Sequence, residues 1–143
     1  MTPNVSRAVI CIHGGDRYAI PLSAVRRVTE VSAIARVPRA PPALLGVMNQ
    51  QGRVACVVDL GPLVGLKARP ARPDGRVVML QRQKGDLGIY VSEVAGIEDL
   101  PAEMQLLTER QGAAHAQVQS PEGPVKLIDP ELLQRAIDNL VEA

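Results

Sequence analysis

The sequence has no phenylalanine and no tryptophan, and Tyr18 and Tyr90 are its only aromatic residues. Apolar residues still make up 46% of the 143 positions. The interior must therefore be built from valine, leucine, isoleucine and alanine. No apolar run approaches the 18 or so residues that span a bilayer. The opening "MTPNVSR" also lacks a secretory h-region. A cytoplasmic location is expected. The two cysteines, Cys11 and Cys56, each sit in an apolar run without CxxC or Cys/His spacing, so burial as small hydrophobes is the ordinary reading. The catalytic alternative is a thiol-dependent enzyme using Cys11 or Cys56. His13 and His115 stand apart from any nucleophile or metal motif, and no glycine-rich phosphate loop occurs. Neither a catalytic residue nor a cofactor or metal site is expected.

Charge of neither sign dominates, since the net charge is only +1. That argues against a general nucleic-acid binder. The distribution is uneven, however. Residues 1–83 carry 12 Lys+Arg and 4 Asp+Glu, and residues 84–143 carry 4 and 11, which is +8 against −7. Such polarity suits a module that meets partners of opposite charge, or copies of itself.

What the chain has in quantity is β-branched residues, together with twelve prolines and twelve glycines. The mixture points to short strands separated by turns. The strands also repeat. "GDRYAIPLSAVRRVTEV" (15–31) aligns with "GDLGIYVSEVAGIEDL" (85–100) across a single gap, setting Ile20, Ser23, Val25 and Val28 on Ile89, Ser92, Val94 and Ile97. "RAVICI" (7–12) matches "RVVMLQ" (76–81) at an offset of 69, and "VACVVDLGPLV" (54–64) matches "PVKLIDPELLQ" (124–134) at 70. Three collinear matches imply a duplication.

Alternation predicts strands at 7–13, 17–20, a third over Val25, Val28 and Val31, then 44–48 and 53–58 in the first half. In the second half they fall near 76–82, 87–91, 94–99, 115–119 and 124–128. Asp59 and Asp129 each precede a proline-containing helix start, so capping is their natural role. The closing helix runs from Asp129-Pro130 to about Leu140, and "KARPARPDG" (67–75) forms the hinge. Five short strands per half suit closure into a small barrel. The expected organisation is all-β: one domain over 1–143, with halves 7–66 and 76–140, and a shared core that buries Val57, Val58, Val78 and Leu127.

The stretch "VPRAPPALLGVMNQQGRVACVVDL", with "YAIPLSAVRRV", "LGIYVSEVAGI" and "VKLIDPELL", resembles the CheW-like domain of bacterial chemosensory systems. The resemblance covers nearly the whole chain. It implies two five-stranded SH3-like barrels around a shared hydrophobic core. It also implies a non-catalytic adaptor that couples a chemoreceptor's helical cytoplasmic tip to the regulatory domain of a CheA-type histidine kinase, reaching the membrane only through receptors. The alternative is a divergent scaffold that binds one of these partners, or self-associates weakly. The family's usual hairpin reads Asn-Leu-Arg-Gly, and here it is Asn49-Gln50-Gln51-Gly52. Gln51 keeps hydrogen-bonding capacity without the charged fork of arginine. Arg27 occupies a place where relatives often carry an acid. The expected partner-binding residues are Val25, Arg27, Asn49, Gln50, Gln51, Gly52 and Arg53. Asn49 and Gly52 would shape the turn through side-chain hydrogen bonding and positive φ, leaving Gln51 to face a partner.

Overall fold

The computed structural model describes residues 6–82, 85–100 and 104–142. The first repeat supplies β1 (Ser6–His13), β2 (Asp16–Pro21), a short 3-10 turn (Leu22–Ala24), β3 (Val25–Glu30), β4 (Leu44–Gln50), β5 (Arg53–Asp59) and α1 (Leu60–Leu63). The second supplies β6 (Arg76–Leu80), β7 (Asp86–Val91), β8 (Glu93–Leu100), β9 (Gln105–Gln111), β10 (Ala114–Ser120), β11 (Gly123–Ile128) and α2 (Pro130–Glu142). All ten strands expected from alternation are present, and one more accompanies them.

The extra strand is β9, and proline explains why only one repeat has it. Residue Gln105 of β9 pairs with Gln117 of β10, and seventy positions earlier Ala35 pairs with Val47 of β4 as an isolated bridge. Both repeats therefore lay a chain against the same strand. In the first, Pro38, Pro41 and Pro42 remove the donors needed to extend the ladder, so a single bridge survives.

The strands form a six-stranded sheet, ordered β8-β1-β2-β11-β10-β9, and a five-stranded sheet, ordered β3-β6-β7-β5-β4. The barrels are thus not the contiguous halves 7–66 and 76–140. Each repeat sends its first hairpin into the other's sheet. β2 lies parallel to β11, and β7 lies parallel to β5. The pairings correspond under the repeat, since Leu127 faces Ala19 and Val57 faces Gly88.

Exchange is what the apolar pattern demands. In β6 the side chains of Val78 and Leu80 enter a cluster shared with Val9, Tyr18 and Ile20 of the other sheet, while Val77 and Met79 pack with Val57 and Tyr90 of their own. β1 does the same, with Val9 and Cys11 on the shared side and Ala8 and Ile10 on the other. Both faces of the exchanged hairpins are buried, which is why these strands read as continuous apolar runs. Leu133 and Ile137 of α2 also insert into the shared core, each stabilising by about 1.5–3 kcal/mol through burial. Val58 and Val78 are buried in the shared core as expected, whereas Val57 is buried in the five-stranded sheet's own cluster, because its side chain points to the opposite face from Val58. Leu127 is not buried: it is half-buried and packs beside the smaller cluster of Ala8, Ile10, Ala19, Val118 and Val125.

Candidate functional site

The β4–β5 hairpin turns in two residues, because Gln50 pairs with Arg53 and only Gln51 and Gly52 lie between. Both have positive φ, 53° for Gln51 and 80° for Gly52, the signature of a type I′ turn matched to strand twist. Asn49 stays in the strand, and its Oδ1 accepts the Gly52 N–H at 2.9 Å. The left-handed position therefore belongs to Gln51, which is exposed. The turn holds the glutamine in a strained backbone state with its side chain directed to solvent.

β3 and β4 are opposite edges of the five-stranded sheet, yet the segment leaving β3 closes the gap. Ala35 and Val47 exchange backbone hydrogen bonds of 2.8 and 2.9 Å, and Ser32 Oγ approaches the Asn49 carbonyl at 3.5 Å. A second link runs through Asp86, at the start of β7. Its carboxylate takes Arg53 of the hairpin at 2.8 Å and Arg26 of β3 at 3.2 Å. Arg26 also donates to the Arg82 carbonyl at 3.1 Å. The Asp86 side chain is only 7% exposed, so the paired charges lose less to solvent screening than a surface pair does. Arg27 is half-buried with its Nε unpartnered. Two guanidinium groups thus share one acid, and Arg27 adds a third positive charge on β3, leaving the region basic.

Of the expected site residues, Arg27, Asn49, Gln50, Gln51, Gly52 and Arg53 lie on β3 or on the hairpin stitched to it. Val25 is turned against the shared core and is only half-buried there. The residues that sequence reasoning missed are Arg26 and Asp86. A signal existed in the repeated Gly-Asp, because Asp16 of the other barrel meets Lys126 at 3.1 Å as Asp86 meets Arg53.

A polar triplet lies elsewhere, at the junction of the sheets, with His13 and Asp59 buried and Ser92 exposed at its rim. His13 Nε2 is 2.8 Å from Asp59 Oδ1, and His13 Nδ1 is 3.2 Å from both the backbone N and the Oγ of Ser92. The order Ser-His-Asp invites a catalytic reading, but the Ser92 N–H already occupies the nitrogen that a general base would use. Asp59 is likewise committed, accepting from Gly61 N at 3.2 Å and Arg69 N at 2.7 Å. Capping is thus only part of its role. Asp129 caps α2 alone, accepting from Glu131 N at 2.8 Å. Burial pushes the Cys11 thiol up to about 12, the opposite of what a thiolate nucleophile requires. Among the described residues, no group of three or more His, Cys, Asp or Glu is placed to hold a metal ion. No helix there is long and apolar enough to cross a membrane.

The profile of the CheW-like domain matches residues 7–136. The chain belongs to the CheW-like domain family. It is similar to a chemotaxis protein CheW of Helicobacter pylori, 29% identical over 83 residues, which are 58% of this chain and 50% of that protein. It is also similar to protein PilI of Pseudomonas aeruginosa, 27% identical over 90 residues, 63% of this chain and 51% of that one. The matches thus span about half the length of such relatives. The fold is that of the scaffolding protein TtCheW from Thermoanaerobacter tengcongensis, with a TM-score of 0.74 at 17% identity, covering 90% of this chain and 86% of the other. The likeness agrees with two SH3-like barrels. The six-stranded sheet corrects the expected count of five strands in each.

Proposed function

We propose that the protein is a non-catalytic cytoplasmic adaptor of a bacterial chemosensory system, coupling a chemoreceptor's helical cytoplasmic tip to a CheA-type histidine kinase. The observation that carries this reading is the joined surface of β3 and the β4–β5 hairpin, held by Asp86 and presented by a rigid two-residue turn. A preformed surface lowers the ordering cost of binding. The membership in the CheW-like family supports the same role. Gln51 stands where the family's arginine would lie, so the contact here is a neutral hydrogen bond flanked by Arg26, Arg27 and Arg53. Weak self-association through oppositely charged edges accompanies the coupling role.

Pull-down of a receptor tip and of a kinase regulatory domain, performed separately, tests the reading. Both should be retained, and Gln51→Ala should weaken one of them by about 1 kcal/mol or more, as for residues that carry interface energy. Retention of only one partner would support the divergent-scaffold alternative. Unchanged affinity of the variant for receptor, kinase and self would remove the hairpin from the site.

A further inference from the structure

A cleft among the described residues lies at the end of β4 opposite the hairpin turn. It has a volume of about 650 Å³ and lies beside the start of β4, where the prolines of the β3–β4 connection face Pro70 and Ala71 of the hinge. β4 separates it from the turn by roughly 20 Å, at about 3.3 Å per residue. Ile34 and Leu45 line it and are half-buried against the Met48–Tyr90 cluster. Pro38, Pro41 and Pro42 line the connection side. Its dimensions and apolar lining match those of sites that accept a small ligand or a short peptide.

Both sides are held firmly. The connection is pinned by the two-way Ala35–Val47 bridge and by the Leu44 N–H bonding the Pro41 carbonyl at 2.9 Å. Gly46 permits this approach, with φ at +146° and no Cβ to strike the Ala35 carbonyl. The hinge is anchored where the Arg72 N–H donates to Tyr90 Oη at 2.9 Å. Three prolines add stiffness to the connection.

The cleft also carries positive charge. Arg36 and Arg39 line it, both are exposed, and among the described residues neither forms an ion pair. Arg39 adopts a left-handed backbone, φ +62°, a state that non-glycine residues seldom hold outside sites under constraint. Arg26 and Arg53, by contrast, share Asp86. An apolar cleft with two guanidinium groups is complementary to an aliphatic side chain flanked by carboxylates.

We propose that this cleft is a second docking site, for an acidic, aliphatic peptide segment of a partner protein. The site is separate from the β3–hairpin surface and does not depend on the coupling role. It gives the adaptor a way to hold a further component while the hairpin is engaged.

The test is titration of the ¹⁵N-labelled full chain with a capped hexapeptide alternating glutamate and leucine. Amide shifts should cluster at residues 34–45 and 70–72. The double variant Arg36→Glu/Arg39→Glu should bind the peptide at least tenfold more weakly, and the matching lysine–leucine peptide should recover that loss. Each arginine is exposed, so the variant's spectrum should otherwise overlay the parent's; Arg36→Gln/Arg39→Gln, expected to weaken binding to an intermediate degree, serves if charge reversal perturbs folding. The proposal is overturned by peptide binding that ignores both variants, by shifts confined to other surfaces, or by no shift at millimolar peptide. Equal competition by polyphosphate would also overturn it, showing a general anion site and not a peptide site.

Discussion

His13 Nε2 lies 2.8 Å from Asp59 Oδ1, and the contact joins the last residue of β1 in the six-stranded sheet to the last residue of β5 in the five-stranded one. Both side chains are buried, at 3% and 0% exposure. With Nδ1 accepting the Ser92 N–H, the ring proton on Nε2 points at the carboxylate. The pair is a polar stitch through an otherwise apolar junction. His13→Ala should therefore cost about 2 kcal/mol, as for a hydrogen bond to a charged group. Asp59→Ala should cost more, about 3–5 kcal/mol, because it also strands the N–H groups of Gly61 and Arg69. Urea denaturation of each variant measures both values. A His13→Ala loss below about 0.5 kcal/mol would mean the stitch contributes nothing net.

That stitch shows where sequence reading stops. Alternation places ten strands because each has a face that is buried or, in β3 and β8, at least half-buried, and Asp59 and Asp129 are recognisable as caps from the helix starts beside them. His13 looked isolated, since its partners are 46 and 79 residues away. The exchange of hairpins between sheets was hidden for the same reason: parallel pairing of β2 with β11 leaves no local signal. β9 lies at an edge, with Leu106 at 76% exposure, so its alternation is weak. In the hairpin, the residues were legible but their division of labour was not. Asparagine's tolerance of positive φ pointed to Asn49, whereas the two-residue turn gives that conformation to Gln51.

Gln51 supplies a prediction of its own. A side chain at φ 53° costs backbone energy that glycine avoids. Gln51→Gly should raise stability by about 0.5–1 kcal/mol, since its native φ suits glycine, while Gln51→Ala should leave it nearly unchanged. Thermal melts of the two variants separate these effects. A destabilising glycine substitution would show that the glutamine side chain itself supports the turn.

The core offers a comparison between two positions. Ile89 is fully buried between the sheets, and Leu127 is half-buried in the smaller cluster. Ile89→Ala should cost about 2–5 kcal/mol, since cavity formation adds to lost transfer energy. Leu127→Ala should cost less, about 1–2 kcal/mol, in proportion to the smaller area removed from water. Equal losses in guanidinium unfolding would place Leu127 deeper than the structure does.

High pH should unfold the protein earlier than its charge content suggests. Burial raises Cys11 to about 12, and burial followed by the nearby Asp16 carboxylate raises Tyr18 to about 12. Each group is held neutral in the folded state and ionises more easily once unfolded. Their contribution is fully present below the unfolded values near 9 and 10 and is lost as pH climbs toward 12. Stability measured by urea midpoint should fall from about pH 9 upward, and Cys11→Ser should soften the early part of that fall. The same burial predicts that Cys11 resists alkylation at pH 8 until the chain unfolds. Rapid native labelling of Cys11 would overturn the assignment.

The last prediction follows from the two exposed strands that the repeat makes equivalent. β3 and β8 are each the edge of a sheet, and matching positions carry exposed apolar side chains, Val28 at 38% and Ile97 at 55%. Their charges differ in sign. β3 holds Arg26, Arg27 and Glu30, whereas β8 holds Glu93, Glu98 and Asp99. Part of that charge is already neutralised within the molecule, since Arg26 meets Asp86 at 3.2 Å, Arg7 meets Asp99 at 3.3 Å and Arg17 meets Glu98 at 3.6 Å, which leaves Arg27 on β3 and Glu93 on β8 as the complementary charges among the described residues. The opposed charge of the two sequence halves is therefore spent partly on joining them. What remains favours β3 of one copy against β8 of another, a heterologous contact that propagates into rings or chains and does not close as a dimer. Exposed pairs contribute only about 0–1 kcal/mol each, so association should be weak and should fade as salt shortens the Debye length. Light scattering from 10 μM to 1 mM, in roughly 0.05 and 0.5 M salt, reads it directly. Mass should rise with concentration in low salt, and Ile97→Lys should abolish the rise. A monomer at every concentration and salt would show that these edges serve only as solvated surface.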